Sequence, residues 1–263
     1  MRTTWPLFLA LVALPLIAAC GTVDYAAAET LPPTTAVETV GAPPSVTAPP
    51  REAPTPKVRE TESESIRWMV AKAETHLPVF RTPGDARPFR VLDEQTILGT
   101  PTVVLIIRDT GDWLEVLLPG RPNGEAGWIT TDGITRFEVQ RQAVIDLTNR
   151  TLQVFHGDQI IFETPVGIGA PSSPTPTGTF FITDAVRITV PTGPWGAYAF
   201  GLSARSDTIT EFNGGDGIIG VHGTNRPASI GEAQSLGCVR LPNDVMLELA
   251  ELLTVGSPVT ITG

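Results

Sequence analysis

The chain has 263 residues and a hydrophobic share of 41%, enough for a packed core and for more than one domain. Eighteen basic against 28 acidic residues leave a net charge of −10, which excludes the basic face that a phosphate-binding nucleic-acid protein needs. Twenty-five glycines and 25 prolines exclude a helical bundle and point to a turn-rich, mainly β protein. Only Cys20 and Cys238, and only His76, His156 and His222, are available as soft ligands. A multi-cysteine metal site and a disulfide-stapled miniprotein are therefore excluded.

Residues 7–19 (LFLALVALPLIAA) are almost all apolar and follow Arg2. The run is shorter than the roughly 20 residues of a spanning helix and fits a secretory signal. It ends Ile17-Ala18-Ala19-Cys20-Gly21, and small residues before a cysteine resemble the lipobox of bacterial lipoproteins. That resemblance implies a signal peptide over 1–20 and lipidation of Cys20. The protein would then be extracytoplasmic, lipid-anchored to the membrane and facing the cell wall. Residues 21–65 hold eight prolines, many Thr and Ala, and a net charge of −4. Such a segment cannot bury enough surface to offset the entropy of ordering, and it reads as a disordered tether or passive linker.

Over 66–138, short apolar runs (IRWMVAKA, TVVLIIRD, WLEVLLP, WITTDG) alternate with Gly, Pro and Asn breaks, as strands and tight turns do. The segment resembles a small Src-homology-3-like β-barrel, and WLEVLLPGRPNGEAGWI is similar to the module preceding the catalytic domain in some exported cell-wall enzymes. Wall binding and passive spacing both remain open for it. His76, before Leu77-Pro78, reads as a surface or turn residue.

The second domain is expected over 139–263. AVIDLTNRTLQVFHGDQIIFETPVGIG reads as a three-strand meander with turns at 148–150 and 156–158, the latter putting His156 at an exposed tip. TPTGTFFITD enters a further strand, an irregular stretch runs to Gly215, and GIIGVHG is the next strand. The one convincing helix covers 243–253, with Asn243 and Asp244 as capping candidates and Gly256 beyond its end. PVTIT closes the chain as a strand.

With Cys20 assigned to the leader, Cys238 is a lone thiol in an oxidising compartment. Such a thiol is bridged between chains, buried as a small hydrophobe, or reactive. Gly237 before it lets backbone approach closely, and Arg240 adds positive charge, which favours thiolate. His222 lies 16 positions earlier in Gly220-Val221-His222-Gly223-Thr224-Asn225, flanked by glycines that suit a tight exit from a strand. Residue types alone leave a structural cysteine and a nucleophile both open.

VHGTNRPASIGEAQSLGCVRLPND resembles the signature of the L,D-transpeptidases with a YkuD-type catalytic domain. That signature is a histidine, an intervening loop, then Ser or Thr-x-Gly-Cys with Arg or Asn two positions on. His222, Gly223, Thr224, Ser235, Gly237, Cys238 and Arg240 match it, and TPTGTF, PWGAYAFGLSA and GGDGIIGVHGT extend the likeness over 139–263. Leu236 stands where many members carry a second histidine. The resemblance implies a YkuD-type β-sandwich with one substantial helix. It also implies a peptidoglycan L,D-transpeptidase that forms 3→3 cross-links through a cysteine thioester.

On that basis Cys238 is the nucleophile and His222 its base, holding the thiol proton or an ion pair. The Gly237 carbonyl would orient the imidazole, and the N–H groups of Gly237 and Cys238 would face the oxyanion. Arg240, Ser235, Gly223, Thr224 and Tyr198 would contact or frame the substrate; Trp195 and Tyr198 read as cleft walls or as ordinary core aromatics. The implied partners are peptidoglycan stem peptides (a tetrapeptide donor and an amine acceptor) and carbapenem-type inhibitors; no cofactor and no metal is implied. A carboxypeptidase or hydrolase on the same fold, or a non-catalytic wall-binding lipoprotein, is the alternative. A sortase is disfavoured by Gly237 and the nearby Arg240, and a papain-like hydrolase by the order His before Cys.

Overall fold

The structure, a computed structural model, describes residues 67–212 and 215–263. The expected signal peptide over 1–20, Cys20 and the expected linker over 21–65 lie outside the described residues. Among the described residues no helix is long and apolar enough to cross a membrane.

The N-terminal part is built from β1 (Trp68–Ala73), β2 (Leu77–Val79), β3 (Arg90–Leu92), β4 (Val103–Asp109), β5 (Trp113–Leu117), β6 (Ala126–Thr130) and β7 (Ile134–Val139). Five of these form a sheet in the order β6-β5-β4-β1-β7, and β2 pairs with β3. Alternation sets the inward face: Leu114 and Val116 of β5 and Ile129 of β6 are fully buried, while their neighbours are half-exposed.

The rest comprises β8 (Arg141–Asp146), β9 (Thr151–His156), β10 (Gln159–Pro165), β11 (Ile168–Gly169), β12 (Gly178–Arg187), β13 (Tyr198–Arg205), β14 (Ile218–Gly223), β15 (Ala233–Ser235), β16 (Val239–Leu241), α1 (Asn243–Leu252) and β17 (Pro258–Thr262). Eight strands make one sheet in the order β10-β9-β8-β17-β12-β13-β14-β16. The protein is thus mainly β with a single α-helix among the described residues. The expected meander is β8-β9-β10, with His156 exposed beside the turn. The stretch expected to be irregular instead contains β13, an eight-residue strand held between β12 and β14. Glycine and alanine mask its alternation, and tertiary pairing supplies what propensity lacks.

Two apolar cores share β12. Phe180 and Ile182 belong to the core of the large sheet, whereas Phe181, on the opposite face, completes the core of the N-terminal sheet. This two-sided burial is why the strand reads FFI rather than alternating. Helix α1 buries Met246 and Leu249 against the large sheet. Neither expected cap forms: the N-cap is Pro242, with no side-chain bond. The Asn243 amide instead donates to the Pro191 carbonyl at 3.4 Å, and Asp244 lies in the first turn, where the helix dipole favours an anion.

Candidate active site

β14 and β16 run parallel, with Val221 opposite Val239 and His222 opposite Arg240. One step before that register, the Gly220 N–H donates to the Cys238 sulfur at 3.4 Å. Residues 220 and 222 share a strand face, so thiol and imidazole meet on the same side of the sheet. Glycine at 220 keeps that side open. A β-carbon there would lie 3.9 Å from both the Cys238 Sγ and the His222 Cδ2.

His222 is 4% exposed, and its Nδ1 lies 2.5 Å from the Gly223 carbonyl oxygen. A carbonyl oxygen only accepts, so Nδ1 carries the proton and Nε2 is left as the basic nitrogen. The Trp195 ring covers the imidazole, with centroids 4.7 Å apart. Burial holds the His222 pKa down at about 4; the Gly223 carbonyl opposes this fall and the Arg240 charge reinforces it. Burial also pushes the Cys238 thiol up, against the pull of the Gly220 N–H and the Arg240 charge. At neutral pH the resting pair is therefore an uncharged thiol beside an uncharged imidazole, not an ion pair.

The cysteine loop is fixed by hydroxyls. Ser235 Oγ donates to the Cys238 carbonyl at 2.6 Å and accepts from the Gly237 N–H at 3.1 Å. Thr175 Oγ1 donates to the Gly237 carbonyl at 2.8 Å, and Ser173 Oγ to the Ser235 carbonyl at 3.1 Å. Gly237 has φ +114°, and a β-carbon there would press on Ile219 Cδ1 at 2.9 Å, so the turn into Cys238 requires glycine. Arg240 is pinned through its backbone to Gly167, at 2.8 and 2.9 Å. Its Nε is buried and has no hydrogen-bond partner among the described residues.

These groups open on one cavity of about 190 Å³. His222, Cys238 and Arg240 supply its chemistry, and Trp195, Ile209, Phe212 and Leu236 are part of its apolar lining. A cation with no ion pair among the described residues, a thiol and a base with a fixed tautomer suit an acyl group that carries a carboxylate.

The family profile for the L,D-transpeptidase catalytic domain, YkuD, matches residues 140–261. The YkuD protein of Bacillus subtilis is 32% identical over 151 residues, covering 55% of this chain and 84% of that protein. The chain belongs to the YkuD family of L,D-transpeptidases. The YkuD protein of Bacillus licheniformis is 37% identical over 118 residues, which is 45% of this chain and 63% of that relative's length. A solved structure, the L,D-transpeptidase from Mycobacterium smegmatis, is 18% identical with TM-score 0.39 and covers 61% of this chain and 90% of its own.

Within this L,D-transpeptidase domain the structure brings His222, Cys238, Arg240 and Trp195 to one cavity. It corrects the position of several other residues. The imidazole is oriented by the Gly223 carbonyl and not by that of Gly237, which accepts from Thr175 instead. The Gly237 N–H is taken by Ser235 and does not face the cavity as an oxyanion donor. Gly223 and Ser235 thus hold the machinery rather than the substrate. Thr224 Oγ1 accepts from the Arg226 N–H and shapes the loop, away from the cavity lining. Tyr198 shares a strand face with the buried Phe200 and packs edge-on against it at 5.5 Å, so it belongs to the core side and not to the cleft. Ser173, Thr175, Ile209 and Phe212 went unread in the sequence. Buried hydroxyls in the turn SSPTPTG were the available signal for the first two.

Proposed function

We propose that this L,D-transpeptidase forms 3→3 peptidoglycan cross-links by acyl transfer through a thioester on Cys238. The supporting observation is the convergence on one cavity of the Cys238 sulfur, the tautomer-fixed His222 and Arg240, whose buried Nε has no hydrogen-bond partner among the described residues. A donor tetrapeptide stem offers Arg240 a carboxylate, the anion its fork accepts best. Cys238 attacks the carbonyl after the third stem residue, usually a diaminopimelate. The thiol proton passes to His222 Nε2 as the C–S bond forms. With the Gly237 N–H committed, the Cys238 N–H is the donor for the tetrahedral oxyanion, and one such donor is worth about 3 kcal/mol. The imidazolium then protonates the terminal D-Ala nitrogen as the C–N bond breaks.

The side-chain amine of a second stem attacks the thioester. Its proton returns to the sulfur by way of His222. No external energy source is consumed, because the cleaved amide supplies the acyl group. A docked carboxylate also offsets the Arg240 charge that depresses His222, so substrate binding strengthens the base that it needs. The apolar lining of Trp195, Ile209, Phe212 and Leu236 disfavours water and so favours transfer over hydrolysis.

Purified protein incubated with disaccharide-tetrapeptide should yield cross-linked dimers in the mass spectrum. Shortened monomers would mean a carboxypeptidase, and unchanged substrate a binding protein; either overturns transfer. A carbapenem, whose strained amide mimics the donor bond, should add its mass to Cys238. The enzyme is also proposed to be lipid-anchored through Cys20 on the wall side of the membrane. The lipobox-like end of residues 7–19 supports this, and a precursor unchanged in size by globomycin would overturn it.

A further inference from the structure

The cleft wall formed by Ile209 and Phe212 belongs to the segment between β13 and β14. The segment is held in part by its own bonds, with Ser206 Oγ accepting from the Ile209 and Thr208 N–H groups at 3.0 and 3.4 Å. Ser206 N–H donates to Gly217 O at 2.9 Å, Phe212 and Gly215 exchange backbone bonds, and Glu211 and Phe212 are exposed. Further anchors come from the N-terminal sheet, from the turn that joins β5 to β6. Arg121 Nη2 donates to the Ser206 carbonyl at 2.7 Å and the Ile209 carbonyl at 3.4 Å. Its Nη1 donates to the Asp216 carbonyl at 3.2 Å and also pairs with the Asp216 carboxylate. One guanidinium thus clasps both the outgoing and the returning leg of the segment.

Two residues on, Asn123 binds Arg205 as a strand would. Its Nδ2 donates to the Arg205 carbonyl and its Oδ1 accepts the Arg205 N–H, both at 2.8 Å. Gly120 N–H adds a bond to the Ser203 carbonyl at 3.1 Å. Arg205 Nε in turn holds the Asp216 carboxylate at 3.0 Å. From this clasp the packing runs inward: Phe212 meets Trp195 edge-on at 6.3 Å, and Trp195 covers His222.

We propose that the β5–β6 turn braces the outer wall of the catalytic cleft, with Arg121 and Asn123 as positioning residues for donor binding. The N-terminal sheet is then part of the donor-site geometry rather than a spacer. An exposed ion pair alone would contribute little. The force of the arrangement is geometric: a planar fork reaches three carbonyls at once, which a lysine ammonium cannot reproduce. The kinetic arm of the test rests on the transpeptidase reading, and the exchange arm does not.

The experiment compares the full chain with Arg121→Ala, Arg121→Lys and Asn123→Ala. Amide hydrogen exchange is followed by mass, kcat and KM are measured on disaccharide-tetrapeptide, and Cys238 is alkylated with iodoacetamide. In Arg121→Ala, exchange over 206–212 should quicken about tenfold or more while β14 and β16 keep wild-type rates. KM should rise about tenfold with kcat within about twofold, since the chemistry is intact and only the wall is loosened. Alkylation by the small reagent should stay within about twofold of wild type. Arg121→Lys should fall between wild type and Arg121→Ala, and it carries the test if the alanine variant does not fold. Unchanged exchange over 206–212 would overturn the brace. So would a fall in kcat with KM constant. If the wild-type chain makes no dimers, the transpeptidase reading fails, and the exchange result alone still decides the brace.

Discussion

His222 serves as a base only while neutral, and burial keeps it so down to about pH 4. The acid limb of kcat/KM on tetrapeptide should therefore fall near pH 4 rather than near the 6.5 of a free imidazole. The same depression has a stability sign. Between the folded and unfolded values the unfolded chain takes up the proton and the folded one does not. The contribution is complete above about pH 6.5, shrinks as pH falls, and is gone below about 4; its size is on the order of 3 kcal/mol. Denaturant midpoints measured from pH 7 to 4 should drop less for His222→Gln than for wild type. Cys238→Ala should abolish turnover and carbapenem labelling while leaving thermal unfolding within a few degrees of wild type, because the half-buried thiol contributes little packing. At this scale the sequence was informative wherever side-chain chemistry was the signal. A lone cysteine, a glycine-flanked histidine and a nearby arginine were all visible. The acceptor that fixes the imidazole was not, because a carbonyl belongs to every residue and its direction is set only by the fold. Tyr198 was misplaced because its strand was not recognised, so its shared parity with Phe200 could not be used.

Strands β14 and β16 bring base and nucleophile together, but the rigidity comes from the loops at residues 173–175 and 235–238. Ser235 links the two ends of the cysteine turn, so Ser235→Ala would leave the Cys238 carbonyl and the Gly237 N–H without their bonds. A stability loss of about 1–3 kcal/mol is expected, together with a kcat decrease larger than any KM change, read from urea unfolding and steady-state rates. The meander, the entry strand and the helix were legible from alternation and periodicity. Strand β13 was not, since YAFGLSAR carries small residues where a sheet between two neighbours needs no bulk. The helix start at 243 was legible but its cap was not: the chain there uses Asn243 to secure the 191 loop and leaves Pro242 at the cap.

The two sheets are joined by buried apolar contact as well as by the Arg121 clasp. Phe181 projects from the large sheet into the N-terminal core, and Val255 touches both cores. Phe181→Ala should cost about 3–5 kcal/mol in urea unfolding followed by tryptophan fluorescence, whose emitters among the described residues lie in the N-terminal sheet and beside the active site. The contact between the parts was hidden in the sequence because Arg121 and Asn123 sit in GRPNG, a string that specifies a turn and says nothing of what the turn touches.

Strand β17 lies in the middle of the large sheet, parallel to β8 on one side and antiparallel to β12 on the other. The wedge that joins the meander to the catalytic strands is thus synthesised after both of them. A premature stop ahead of Pro258 would leave β8 and β12 facing each other as unsatisfied edges, ready to recruit strands from other chains, however complete the histidine and cysteine segments already were.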